Sequence, residues 1–444
     1  MKYFLEAGFS KIDLTPPLER MAAYGIGYWY QRHVRFTGVR DPLFVRTLVM
    51  GVLDSRQVMV SVDSIFDSYG FVESATRRIA DYFSIPAANI LISCTHTHSS
   101  PLVGRNNTHE GAEYGEFVAQ RIVQSALDAA GRAVDTFVTI ADADVENVLY
   151  NRRPLLANGS IAELHRPVSG PNIVDAGPLN KRMTVVNFRD RAGHRIGGLC
   201  HFGIHGVAVQ CSELVSSDCM GRAIQALEQE ESSLVLLHLN GACGDIDPAL
   251  MGDDHSLDVM TERLSSGLRS VLNAAELPLD RPWPGAASAG IFRAERRCTR
   301  TSAELEASLA VTAETQQAPS TPHHSGSGYE RFLLAEEAAV AALPEKLEIN
   351  YQLLRLGHLI FAGIGGEVFT RSGLELQASL RDFVVFPIGL AGGAAGYLPL
   401  KEMYLQGGYE VACAQWCPIA CGEPEKLFAQ IARDLHRIAG YQAA

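Results

Sequence analysis

Short apolar runs alternate along the chain with stretches whose apolar positions recur every three or four residues. This is the pattern of strands exchanging with amphipathic helices. Residues 45–53 and 58–63 are rich in β-branched side chains and split by a short polar turn, which predicts a hairpin. Residues 73–83 predict a helix with Ala75, Ile79 and Tyr82/Phe83 on one face; residues 89–94 predict an apolar strand and residues 112–130 a long helix. Strands are expected at 136–148, 183–188 and 196–202, a helix at 217–231, and at 234–239 an apolar strand of the kind covered on both faces. Leu257, Met260, Leu264, Leu268 and Leu272 then keep a helical stripe.

Pro and Gly around residues 281–285 interrupt this pattern and mark a soft internal boundary near 281 within one large unit spanning 1–444. Residues 316–328, the one low-complexity stretch, read as a flexible surface loop in which His323 and His324 are solvated. Beyond it the pattern predicts a helix, a hairpin at 347–356 and 358–362, a helix from Thr370, a strand at 383–389 and a closing helix aligning Leu427, Ile431 and Leu435. The fold class expected is α/β, with mixed β-sheets and flanking helices.

Composition narrows the partners. The 444 residues are 47% hydrophobic and 20% charged, enough apolar content for a sizeable core. Lys and Arg number 38 against 50 Asp and Glu, a formal charge of −12 with no basic block, which argues against nucleic acid or an anionic membrane surface as partner. No apolar run approaches the roughly 18 residues of a membrane span. Glu6 comes too early for the apolar core of a signal peptide, so the expected location is cytoplasmic; oligomeric state is left open. The nine cysteines read as reduced thiols. Cys413, Cys417 and Cys421 recur every four residues, one face of a helix, and read as small apolar fillers there.

Four segments carry chemistry. Cys94-Thr95-His96-Thr97-His98-Ser99 follows an apolar strand, at the C-terminal end where α/β sheets hold ligands. Its two imidazoles either share one cleft, split between a metal and proton transfer, or pack as hydrogen-bonded core histidines. His205 stands where the strand before Gly206 should end, whereas His201 lies inside that strand and reads as a packed histidine. Gly244-Asp245-Ile246-Asp247-Pro248 follows the apolar strand at 234–239, and its acids are orienting groups, bases, metal ligands or members of an Asx turn. Glu367, after Gly365-Gly366, is either a helix N-terminal charge or a hard oxygen ligand.

Taken in order, these segments resemble the catalytic domain of the neutral, non-lysosomal ceramidases, a family of zinc-dependent amidases. The matching pieces also include residues 7–16, Asp41-Pro42-Leu43-Phe44-Val45-Arg46, Tyr150-Asn151-Arg152-Arg153-Pro154, Gly396-Tyr397 and Gly408-Tyr409-Glu410. The resemblance implies a Zn²⁺ held by His96, His205, Glu367 and Tyr397, at the C-terminal ends of strands. It implies His98 as proton handler or oxyanion donor, Arg152 as a substrate-contacting cation and Tyr409 as an oxyanion donor. Where the family carries a catalytic serine this chain has Asp247, which cannot donate a hydrogen bond when ionised. The immunoglobulin-like C-terminal domain and secretion signal of familiar members are also missing from this sequence.

The function expected is hydrolysis of an N-acyl amide bond by metal-activated water, with His98 or Asp247 passing the proton to the leaving amine. An aspartate beside the attacked carbonyl is tolerable only if it faces a cation or the departing amine, which favours a small soluble N-acyl substrate over a membrane lipid. A zinc esterase, a glycoside-cleaving hydrolase and a true ceramidase are the alternatives on the same scaffold. A metal-stabilised binding protein is the non-enzymatic one.

Overall fold

Nine strands form one mixed sheet in the computed structural model, which describes residues 4–26, 33–67, 70–102, 109–161, 172–280, 282–301, 304 and 327–441. The order across this sheet is Leu236–Asn240, Arg195–Phe202, Arg182–Asp190, Val134–Asp144, Leu5–Asp13, Phe44–Met50, Gln57–Val62 and Ile90–Cys94; Leu277–Pro278 pairs with Val134–Asp144 off this path. Pairs are antiparallel in the middle and parallel at the two ends. A second sheet orders Pro284–Glu295, Lys346–Leu356, Leu359–Ile364 and Val384–Ile388.

The two sheets pack face to face. Phe9, Leu48, Met59, Leu199 and Leu237 of the first meet Leu354, Phe361 and Phe386 of the second in one buried cluster. Helices cover the outer faces. Phe71–Phe83 and His109–Gly131 close one half of the large sheet, Asp218–Glu230 and Asp254–Leu272 the other, and Thr370–Ala378 and Glu423–Ala439 close the small sheet. Strands such as Gln57–Val62 and Leu236–Asn240 are therefore buried at every position, their few polar side chains, Gln57, Ser61, His238 and Asn240, included.

The large sheet curls until its two ends meet. Ser61 Oγ donates to the His238 carbonyl at 2.7 Å, and Asn240 Nδ2 donates to the Thr95 carbonyl at 3.0 Å. That closure brings the ends of the Ile90–Cys94, Arg195–Phe202 and Leu236–Asn240 strands to one place.

The expected hairpin at 45–63 forms with Val45 paired to Val62, and each helix and strand foreseen above is present with shifted ends. Three expectations are corrected. Tyr82 is 66% exposed, because the buried face of its helix is set by Phe71, Val72, Ala75 and Ile79. Residues 284–295 do not merely break the pattern; they form a long strand whose mixed Gly, Ala and polar composition hides the period. Cys413, Cys417 and Cys421 do not share a helix. After the 3₁₀ turn Tyr409–Val411 the chain runs in turns until the helix at Glu423, since Pro418 has no N–H to donate. The boundary at residue 281 lies outside the described residues, as do His323, His324 and the loop expected at 316–328 up to residue 326; its last two residues open the helix Ser327–Ala341.

Candidate metal centre

His96 leaves the Ile90–Cys94 strand through a bend. Its φ of +69° is unusual for a residue with a side chain, and backbone bonds at Thr95 N to the Val62 carbonyl (2.9 Å) and His96 N to the Ser64 carbonyl (2.9 Å) hold it there. Thr97 bridges Gly206, and His98 N donates to the Gly206 carbonyl at 2.9 Å. Only glycine fits at 206: a Cβ there would stand 2.7 Å from the His96 carbonyl oxygen and from Thr97 Cα. The close approach of these two loops places His205 beside His96, with ring centroids 4.4 Å apart.

The imidazoles are oriented from behind. His96 Nδ1 lies 2.7 Å from the Ile65 carbonyl and His205 Nδ1 lies 2.6 Å from the Cys243 carbonyl. A carbonyl only accepts, so each Nδ1 carries a proton, and in the neutral ring Nε2 is the atom left with a lone pair. Both lone pairs face Glu367 Oε2, at 3.4 Å from His96 and 3.3 Å from His205. Neither His205 Nε2 nor Glu367 Oε2 makes a hydrogen bond. Burial, with Arg152 and His96, lowers the His205 pKa, so that ring is neutral. Two imidazole lone pairs and a carboxylate aimed at one another are mutually repulsive until a cation sits among them. The N, N, O donor set, braced by Nδ1–H bonds to carbonyls, fits Zn²⁺.

His98 joins the group, with Nε2 3.4 Å from His96 Nε2; the ligand atoms of His96, His98 and His205 all lie within 4.8 Å of one another. Burial first, and the neighbouring His96 and His205, push the His98 pKa well down, so this half-buried imidazole is neutral and able to accept a proton.

Tyr397 enters beside Glu367 because Glu367–Val368 and Tyr397–Leu398 pair in parallel register. Arg152 Nη2 donates to the Tyr397 hydroxyl at 2.8 Å and to the Gly244 carbonyl at 2.9 Å, while Nη1 donates to Asp247 Oδ1 at 2.9 Å. Its Nε is 2.7 Å from Glu410 Oε1, and Glu410 Oε2 takes Arg153 Nη1 at 2.6 Å. Burial works against the Arg152 charge, but Tyr397, Asp247 and Glu410 hold its pKa above the usual value. Burial first, with Glu367, Tyr409 and Glu410, raises the Tyr397 phenol, and Arg152 opposes that. Asp247 thus faces a cation, the first of the two arrangements that make an aspartate tolerable here. Arg152, expected as a substrate contact, anchors Tyr397 and Asp247. Tyr409 stacks on Trp416 at 4.7 Å and meets Tyr397 edge-on at 6.1 Å.

Several supporting residues escaped sequence reasoning, apart from Asp245, which takes the orienting role offered for the acids of its segment. Asn240 takes Ile204 N at 3.1 Å and gives Nδ2 to the Thr95 and Ile204 carbonyls, tying three strand ends. Asp245 Oδ1 accepts from Thr370 N and Oγ1 at 2.8 Å, and Oδ2 from Asn151 Nδ2 at 2.9 Å, so it fixes the helix that follows Glu367. Glu410 and Trp416 were visible only as letters in a motif or a turn. His201 is the packed histidine expected, buried with Nε2 2.8 Å from the Pro387 carbonyl. Among the described residues, the cysteines form no metal-binding group.

Comparison with known proteins bears on the family and the fold. The family described as neutral/alkaline non-lysosomal ceramidase, N-terminal, matches residues 5–257. The chain is 25% identical over 287 residues to the neutral ceramidases of Drosophila melanogaster and Drosophila pseudoobscura pseudoobscura, covering 59% of this chain and 39% of each relative. It therefore spans about two fifths of the length of these relatives. Among solved structures, the neutral ceramidase from Pseudomonas aeruginosa superposes with a TM-score of 0.68 at 17% identity, over 100% of this chain and 76% of that one. A ceramidase complexed with C2 gives 0.69 at 17% identity, over 99% and 77%. These likenesses establish the mixed α/β fold, and the match over more than half its length shows that the chain belongs to the neutral/alkaline non-lysosomal ceramidase family.

Proposed function

We propose that the chain is a Zn²⁺-dependent hydrolase of N-acyl amide bonds, with His96, His205, Glu367 and Tyr397 as the metal's ligands. The observation that carries this reading is the convergence of the His96 and His205 Nε2 atoms on Glu367 Oε2 at 3.4 and 3.3 Å, each ring braced by a carbonyl behind it. A bound Zn²⁺ supplies Lewis-acid polarisation of a carbonyl and brings the pKa of a water down to about 7. The chain's own residues do the rest. His98, neutral and half-buried, takes the proton from the attacking water and returns it to the departing amine. Tyr409 donates to the oxygen that gains charge. Arg152 keeps the Tyr397 oxygen in place and neutralises Asp247. Assay of zinc-loaded protein on matched amides, esters and glycosides tests the reaction class: amide cleavage is expected, and cleavage of esters or glycosides alone overturns it.

The acyl and amine partners divide into two readings. A small soluble N-acyl compound follows from the net charge of −12. Ceramide itself is favoured by the relatives, each named a neutral ceramidase, and by Arg152, which cancels the Asp247 charge that counted against it. The soluble reading expects ceramide in detergent to be turned over at least ~10²-fold less efficiently, about 2.7 kcal/mol in transition-state binding. A ceramide preference in kcat/KM decides for the second reading.

A further inference from the structure

Trp416 touches both tyrosines of the proposed site and belongs to no motif that pointed to it. Its indole Nε1–H donates to the Tyr409 carbonyl at 2.8 Å, and its ring stacks on the Tyr409 ring at 4.7 Å and 18°. Its main-chain carbonyl accepts from Tyr397 N at 2.7 Å. The second face of the indole stacks on Phe332 of the Ser327–Ala341 helix at 5.8 Å and 19°. The fit against the Tyr397 strand is close: Gly396 has φ +88°, and a Cβ there would stand 2.3 Å from the Trp416 carbonyl oxygen. A 3₁₀ turn of three residues, Tyr409–Val411, has little intrinsic rigidity, since such turns make few and poorly aligned bonds. Gly407 and Gly408 before it, at φ +76° and +101°, give no stiffness either. Arg153 and Arg297 hold the ends of this turn through the Gly407 and Val411 carbonyls, and the indole adds a stacked face on the Tyr409 ring itself.

We propose that Trp416 is a positioning residue for the reaction: its side chain holds Tyr409 through one hydrogen bond to the main-chain carbonyl and one stacked face on the ring, while its backbone carbonyl registers Tyr397. The inference rests on the amide-hydrolase reading for its kinetic consequence, and on geometry alone for the link from Tyr397 through Trp416 to Tyr409. Because the contact to Tyr397 is made by main chain, side-chain variants act on Tyr409 and leave the metal ligands in place.

Two variants and one spectroscopic signal test this. Trp416→Leu removes the stack and the N–H; Trp416→Phe keeps the stack and removes only the N–H. Both are expected to bind Zn²⁺ as the wild type does. Trp416→Leu lowers kcat by ~10-fold or more with KM little changed, and Trp416→Phe recovers part of the loss. In a Tyr409→Phe background Trp416→Leu costs little further, since the two act as one unit. Additive losses, or a fall in zinc affinity matching the fall in kcat, overturn the proposal. The activity-independent arm is the indole ¹⁵N–¹H resonance of Trp416, assigned by its absence in Trp416→Phe. Addition of Zn²⁺ shifts it while that of the half-exposed Trp283 stays. An unshifted Trp416 resonance on a protein that has taken up zinc overturns the link whether or not amide turnover is found. Absence of amide turnover with the shift present counts against the amide-hydrolase reading instead.

Discussion

Arg152 and Tyr397, 245 residues apart in the chain, meet with Nη2 donating to the phenol oxygen at 2.8 Å, both residues buried. The guanidinium reaches Asp247, the Gly244 carbonyl and Glu410 at the same time, so one planar group sets the position of a phenol and a carboxylate. A lysine has one point charge and no fork, and cannot span these acceptors.

Arg152→Lys should therefore retain the fold and lose most turnover, because Tyr397 is no longer held. Arg152→Ala leaves Asp247 and Glu410 as buried charges without this partner and should destabilise the protein by about 3–5 kcal/mol. Urea unfolding and kcat of both variants check this, and wild-type turnover in Arg152→Lys would show that the fork is dispensable.

His98 stands close enough to His96 to be either a ligand or the proton carrier. As proton carrier, His98→Ala keeps its zinc and loses roughly 10²- to 10⁴-fold in kcat. Elemental analysis beside single-turnover kinetics separates the cases: a variant that loses zinc, yet turns over normally per zinc retained, makes His98 a ligand.

How much of this was legible follows from which contacts are local. His96 and His98 were readable because they end an apolar strand, and His205 because a glycine follows it. Their meeting was not, since it depends on the large sheet curling until Asn240 reaches Thr95, and hydropathy reports which faces are buried but not how far a sheet bends. The partners of Arg152 were hidden for a related reason: its motif supplies the cation, but Asp247, Tyr397 and Glu410 come in from distant segments. The strand Pro284–Glu295 escaped because its positions alternate among exposed and half-buried and its composition is rich in Gly and Ala.

Away from the site, Glu276 gathers Arg189 Nη2 at 2.5 Å, Thr139 Oγ1 at 2.6 Å and Arg195 Nη2 at 3.3 Å. Partial burial opposes its charge, but these donors lower its pKa from 4.5 to about 2. A carboxylate with a depressed folded pKa contributes stability that is fully present above its unfolded pKa and fades as pH falls toward the folded one. The stability gap between wild type and Glu276→Gln should thus be constant above pH ~5, shrink between about 4.5 and 2, and vanish below. Denaturant unfolding at pH 6 and pH 3 checks it; an equal gap at both values contradicts the assignment.

Zinc titration of metal-free protein tests the central claim most directly, with bound metal and hydrolysis of an N-acyl substrate followed together. Turnover should rise in proportion to bound zinc and level off at one equivalent per chain, and His205→Ala should lose both signals. Full amide turnover by the metal-free chain, or a His205→Ala variant that keeps its zinc and its rate, would contradict the account.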